Sequence, residues 1–254
     1  MSDFDRNVAA FPGAGRAVAV DAGLRAHMIR VYNYMAGGVG LTGVLAYLTF
    51  QMSGGDAIRV SGNTITGLTP FGQLVMGGFT PIVLMLAALG LVFFISFRIN
   101  RLQYTTALGL FVFYAALLGV ALSSIFVVYT GTSITRVFFV TAASFGALSL
   151  WGYTTQRDLT AMGAFMMMGL FGIIIASLVN IFLASSGLTW IISVVGVVVF
   201  AGLTAYDTQK IKEMYDPMDD GTVAGRKAVM GALELYLDFI NLFLMLLRLF
   251  GDRR

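Results

Sequence analysis

The chain has 254 residues, of which 58 % are hydrophobic and only 11 % charged, with a mean hydropathy of +0.85, whereas soluble domains are about 45–50 % apolar and about a quarter charged. That excess exceeds what a water-soluble core absorbs and points to one helical bundle in a lipid bilayer. The net charge of +3 is scattered through loops, which argues against nucleic acid as a partner; the absence of cysteine removes disulfides, thiolate metal sites and cysteine nucleophiles, and a single histidine, His27, leaves no histidine metal cluster.

The first thirty residues mix Asp3, Asp5, Arg6, Arg16, Asp21, Arg25 and Arg30, the wrong order for a secretory signal with a short basic head and an immediate apolar stretch. They are read as a retained cytoplasmic arm, residues 1–30, with 17–30 either a weak amphipathic surface helix or a solvated segment. The rest, 31–254, is read as the transmembrane domain. Charge-free apolar stretches cover 31–51, 73–97, 102–129 and 137–156, each long enough to cross the hydrocarbon layer as a helix. No charge appears from 159 to 206, too long for one span, and the cluster Ala184-Ser185-Ser186-Gly187 marks a turn that splits it. A seventh segment, 228–250, is apolar but carries Glu234, Asp238 and Arg248. Long continuous runs favour helices over a β-barrel, so the fold class is all-α: a polytopic seven-transmembrane-helix bundle.

The connections add detail. The loop over 52–72 is rich in Gly, Ser and Thr; Thr69-Pro70 suits a helix start, and Pro81 would kink the second span or loosen its first turn. Small residues four apart, Ala115, Gly119 and Ser123 in span three and Ala143 and Ala147 in span four, would let neighbouring helices approach closely. With the N-terminus in the cytoplasm, eleven of the sixteen basic residues fall on the inner side, which favours that orientation. Arg248, Arg253 and Arg254 then lie outside, against the rule, so a last segment that re-enters and returns its tail to the cytoplasm is the alternative topology.

An ionisable residue within a span costs at least a few kcal/mol and is a functional candidate by default. Asp207 closes span six in Ala205-Tyr206-Asp207-Thr208-Gln209, and Asp238 lies about ten residues into span seven. The connection between them returns the chain to the same face, so both acids belong to the cytoplasmic half. Glu234, Asp238, Asn241 and Arg248 share one side of that last helix. The bland reading of the stripe is interhelical glue, and the same applies to Asn180 in span five. Arg98 and Arg101 flank the turn between spans two and three; both serve as positive-inside anchors, or Arg98 reaches inward to pair with Asp207. Two carboxylates sharing a site cannot both ionise easily and titrate as a unit, which is the physical basis of a pH sensor.

The run Leu235-Tyr236-Leu237-Asp238-Phe239-Ile240-Asn241-Leu242-Phe243, then Leu246-Leu247-Arg248-Leu249-Phe250-Gly251, with Tyr206-Asp207 ending span six, resembles the bacterial branch of the Bax inhibitor-1 (TMBIM) family over residues 25–254. The resemblance implies a bundle with the last helix central, Asp207 and Asp238 as a proton-sharing pair on the cytoplasmic side, Tyr206, Glu234 and Asn241 in support, and Arg98 as a latch. It implies a pH-sensitive calcium leak in a bacterial inner membrane, with no cofactor, calcium as the permeant ion held transiently by Asp207 and Asp238, and no enzymatic activity. Two or three acids fall short of the six to eight oxygen ligands calcium takes, which suits passage better than storage. The runner-up reading is a non-conducting regulator of a membrane-anchored AAA protease or of a stress response. An intramembrane aspartyl protease ranks lower: Tyr206-Asp207 fits its first motif, but Leu235-Tyr236-Leu237 stands where its second aspartate follows Gly-x-Gly.

Overall fold

The computed structural model describes residues 12–61 and 64–254, with backbone alone for residues 12–21, 60, 61 and 64. Helix α1 (Pro12–Met52) runs unbroken through residue 30 into the first span, so residues 12–30 of the expected arm are helical, and residues 1–11 lie outside the described residues. A short hairpin, β1 (Arg59–Ser61) with β2 (Thr64–Thr66), and helix α2 (Pro70–Met76) fold over one end. Then follow α3 (Thr80–Arg98), α4 (Tyr104–Leu122), α5 (Ile125–Val128), α6 (Gly131–Thr154), α7 (Thr160–Leu183), α8 (Ser186–Glu213) and α9 (Gly221–Phe250). Among the described residues seven helices are long and apolar enough to cross a membrane, which satisfies each span's backbone internally, as lipid requires. The protein is an integral membrane protein.

Local chemistry sets the boundaries. Thr69 caps α2 by accepting from the Gly72 amide at 3.1 Å. The second span starts at Thr80, later than residue 73, because Gly78 turns the chain with φ of 57°. Pro81 falls in the first turn of α3, where its missing N–H costs nothing, and the helix continues unbroken to Arg98. Ala184 closes α7 in the left-handed region at φ 48°, and Ser185 opens α8 by accepting from the Leu188 amide at 3.3 Å. Asn180 completes that turn, donating to Thr189 Oγ1 at 2.7 Å and accepting from the Ser185 amide at 3.0 Å. In the 155–159 connection, hydrogen bonds from the Thr160 side chain and amide hold the Asp158 carboxyl below its ordinary range.

Helix α9 forms the axis. In its most apolar stretch 72 % of residues are buried, against 11 % in α3 and 6 % in α7. It packs directly on α1, α4, α6 and α8, while α3 lies against α4 and α7 against α8 at the periphery. Gly119 of α4 meets the α1 backbone: a Cβ there would stand 2.8 Å from the Thr42 carbonyl oxygen, as the small-residue pattern led us to expect. Ala143 and Ala147 of α6 instead face outward, and it is Gly152 that brings α6 onto α8, where a Cβ would lie 2.2 Å from the Ala205 carbonyl oxygen. Small residues pack helices only on the inward face, and residues 143 and 147 sit on the other one.

The tail decides the topology of the last segment. Helix α9 is about 45 Å of uninterrupted helix, and the residues after it dock at the end that carries the hairpin. The Arg254 amide donates to Val128 O at 3.0 Å, the Thr130 amide to Asp252 O at 3.0 Å, and Arg254 pairs with Asp56 at 3.2 Å. The segment crosses the whole bundle, and the re-entrant alternative does not hold. Pairing with Asp56 also gives one of the three basic tail residues a local partner away from the opposite, more basic end.

Candidate functional site

Helices α8 and α9 are consecutive and antiparallel, joined by a tight connection whose last residue, Asp220, caps α9 by accepting from the Val223 amide at 2.7 Å. They approach closely because Gly231 lies against Ile211, where an added Cβ would be 3.0 Å from the side chain, and Gly196 against Met245. In this register Lys210 Nζ meets Glu234 Oε1 at 2.8 Å. One turn deeper the carboxyls of Asp207 and Asp238 lie within hydrogen-bonding reach of each other. Asp238 is 5 % exposed, and its Oδ2 and Glu234 Oε2 are buried without a hydrogen-bond partner among the described residues. Three carboxyls and one ammonium therefore occupy two adjacent turns of a helix pair.

The other expected residues are distributed differently. Asn241 turns its amide back to the Leu237 carbonyl of its own helix at 2.8 Å and does not join the acids. The Tyr206 ring packs over Gly163 of α7, where a Cβ would meet it at 2.5 Å, so it fixes α8 on α7 instead of facing Asp238. Arg98 is exposed in the last turn of α3 and forms no ion pair among the described residues, so the structure does not bring it to Asp207. The turn after it is held by Arg226 of α9, which donates to Asn100 O at 2.6 Å and Leu102 O at 3.3 Å. Among the described residues no three acidic or histidine side chains converge to hold a metal ion.

Lys210 is the residue that sequence reasoning missed. It counts there only toward the positive-inside total, yet it stands three residues after Asp207, on the same helical face, and that spacing was available to find it. Two polar ladders brace the surroundings. Tyr32 of α1, Ser149 of α6 and Thr208 of α8 are linked by hydroxyl hydrogen bonds of 2.7 and 2.9 Å beside Asp207. Two residues before Asp238, the Tyr236 hydroxyl donates to Thr42 Oγ1 at 2.6 Å, which in turn donates to Ala115 O at 2.8 Å, tying α9 to α1 and α4.

Comparison with known proteins matches residues 24–254 to the family described as inhibitor of apoptosis-promoting Bax1. A Rickettsia prowazekii protein is 48 % identical over 234 residues, 92 % of each chain. The inner membrane protein YbhL of Escherichia coli K12 is 44 % identical over 246 residues, covering 96 % of this chain and 99 % of YbhL. A Caulobacter vibrioides protein is 44 % identical across the full length of both.

Proposed function

The chain belongs to the Bax inhibitor-1 family, and from that premise we propose that it is a pH-sensitive cation leak of a bacterial inner membrane, with calcium as a permeant ion and its N-terminus in the cytoplasm. The observation that carries the reading is the contact between the Asp207 and Asp238 carboxyls, one of them 5 % exposed, in the core of the bundle. An ionised carboxylate only accepts hydrogen bonds, so a bond between the two requires one O–H, and the pair shares a proton. Removing that proton leaves three carboxylates against the single ammonium of Lys210, a net charge of −2 that one divalent cation offsets. Water completes the six to eight oxygens that calcium takes, which suits transit better than retention. Cation and proton compete for the same oxygens, so apparent calcium affinity at the pair falls as pH falls.

In this arrangement Lys210 holds Glu234 and closes α8 on α9, and Arg98 acts as a latch to Asp207 only in a conformation where α3 leans inward. One observation favours the second reading, a non-conducting regulator with a membrane protein as partner: neither acid lines any of five well-formed cavities in the bundle. The test is calcium influx into dye-loaded liposomes containing the purified protein, with empty liposomes as reference. A pH-dependent influx supports the leak; influx equal to empty liposomes at every pH rules it out in favour of the regulator.

A further inference from the structure

Arg248, the most distal member of the polar stripe on α9, takes no part in the acid site. It is exposed in the last turn of its helix, about 3 Å along the axis from Phe250, and forms no ion pair among the described residues. It opens instead onto a cavity of about 420 Å³ between α3, α7 and α8, whose polar lining is Ser177, Asn180 and Thr189 and whose apolar walls include Met85 and Ile192. That volume is in the range of small-ligand sites.

The chemistry of the lining is one-sided. Asn180 Oδ1 is occupied by the Ser185 amide, and Thr189 Oγ1 both accepts from Asn180 and donates to Ser185 O. What remains directed at a ligand is the guanidinium, the second amide proton of Asn180 and the Ser177 hydroxyl. Among the described residues no carboxylate lines the cavity. The cleft therefore presents hydrogen-bond donors and a positive charge to an anion, and a guanidinium fork matches two oxygens of a phosphate. The helices that flank it, α3 and α7, are the two least buried of the bundle, so the opening faces the bilayer laterally, and Met85 and Ile192 offer an apolar continuation below the polar head.

We propose that this cleft binds the phosphate of a glycerophospholipid from the leaflet at the tail end of α9, with Arg248 as the principal cation and Asn180 and Ser177 as auxiliary donors. A bound headgroup would join α3 to α7 and α8 across a boundary where the helices themselves pack little. The bland account, in which an arginine at a helix end merely snorkels to the interface, predicts no saturable site.

Native mass spectrometry of the full chain, released from detergent after titration with phosphatidylglycerol, separates the two. The expected result is one saturable lipid on the wild type and on the loop variant Arg59→Gln, with apparent affinity about tenfold weaker in Arg248→Gln and intermediate in Arg248→Lys, which keeps the charge but loses the fork. Diacylglycerol, which lacks the phosphate, should not bind saturably, and millimolar inorganic phosphate should leave the lipid in place. Equal retention by wild type and Arg248→Gln, or saturable binding of diacylglycerol, would overturn the site. Displacement of the lipid by inorganic phosphate would reassign it to free phosphate. Arg248→Lys also guards against a folding artefact, since it preserves helix and charge.

Discussion

Replacing Asp207 and Asp238 by asparagine, singly and together, measures whether their carboxyls act as one unit. At a hydrogen-bond separation of about 3 Å, two unit charges repel by about 5–6 kcal/mol at an effective dielectric constant of about 20. That is comparable to the whole stability of an ordinary domain, about 5–15 kcal/mol, and the proton that the proposed function places on the pair removes this repulsion. Asparagine keeps the shape and supplies its own N–H donor. Either single variant therefore replaces a carboxyl–carboxylate bond with an amide–carboxylate bond, and the double variant leaves two amides. Thermal unfolding in detergent gives the four corners of the cycle, where about 1 kcal/mol corresponds to about 2–4 °C for a chain of this size. We expect a coupling energy of about 1–3 kcal/mol, different near pH 5 and near pH 8 because protonation changes what the pair has to lose. Additivity to within about 0.5 kcal/mol at both pH values would refute the shared site.

Three further outcomes follow from the packing. Lys210→Gln frees Glu234 and should raise basal calcium influx into liposomes at neutral pH more than Arg98→Ala or Arg101→Ala; its stability loss should stay under about 1 kcal/mol because Lys210 is 40 % exposed, and equal small effects on influx from all three would reduce Lys210 to an interface anchor. Gly152→Ala drives a Cβ to 2.2 Å from the Ala205 carbonyl oxygen, a backbone atom that cannot rotate away, so a loss of about 1–3 kcal/mol is expected; an unchanged melting temperature would contradict the α6–α8 contact. Tyr236→Phe removes the hydroxyl bond to Thr42 while Thr42 keeps its bond to Ala115, and chemical or thermal unfolding should register about 1 kcal/mol.

Much of the architecture is legible from hydropathy alone, since a charge-free run of twenty residues has few alternatives in lipid. Residues 159–206 divide at Ala184-Ser185 as the turn cluster indicates. The start of the second span is less legible: Gln73 to Met76 is apolar enough to belong to it, but Gly77-Gly78 breaks the helix and leaves α2 as a separate piece. The acids at 207 and 238 stand out because their cost in a membrane demands a partner, and the antiparallel α8–α9 connection places them side by side. Partner choice among the surrounding polar groups is not legible in the same way. Asn241 satisfies itself on its own helix, Tyr206 is taken up by Gly163, and Lys210, not Arg98, supplies the nearby positive charge, because these outcomes depend on helix rotation of a few tens of degrees that no periodicity specifies.

A pH-dependent leak through the acid pair is measured most directly as calcium influx into dye-loaded liposomes between about pH 5 and 8 for wild type, Asp207→Asn, Asp238→Asn and the double variant, with protein incorporation matched. Wild-type influx should vary across this interval, both single variants should alter the profile, Asp238→Asn should conduct least because its side chain is the more deeply buried, and the double variant should add little to it. A wild-type influx that is flat over the interval, or single variants with the wild-type profile, would contradict it.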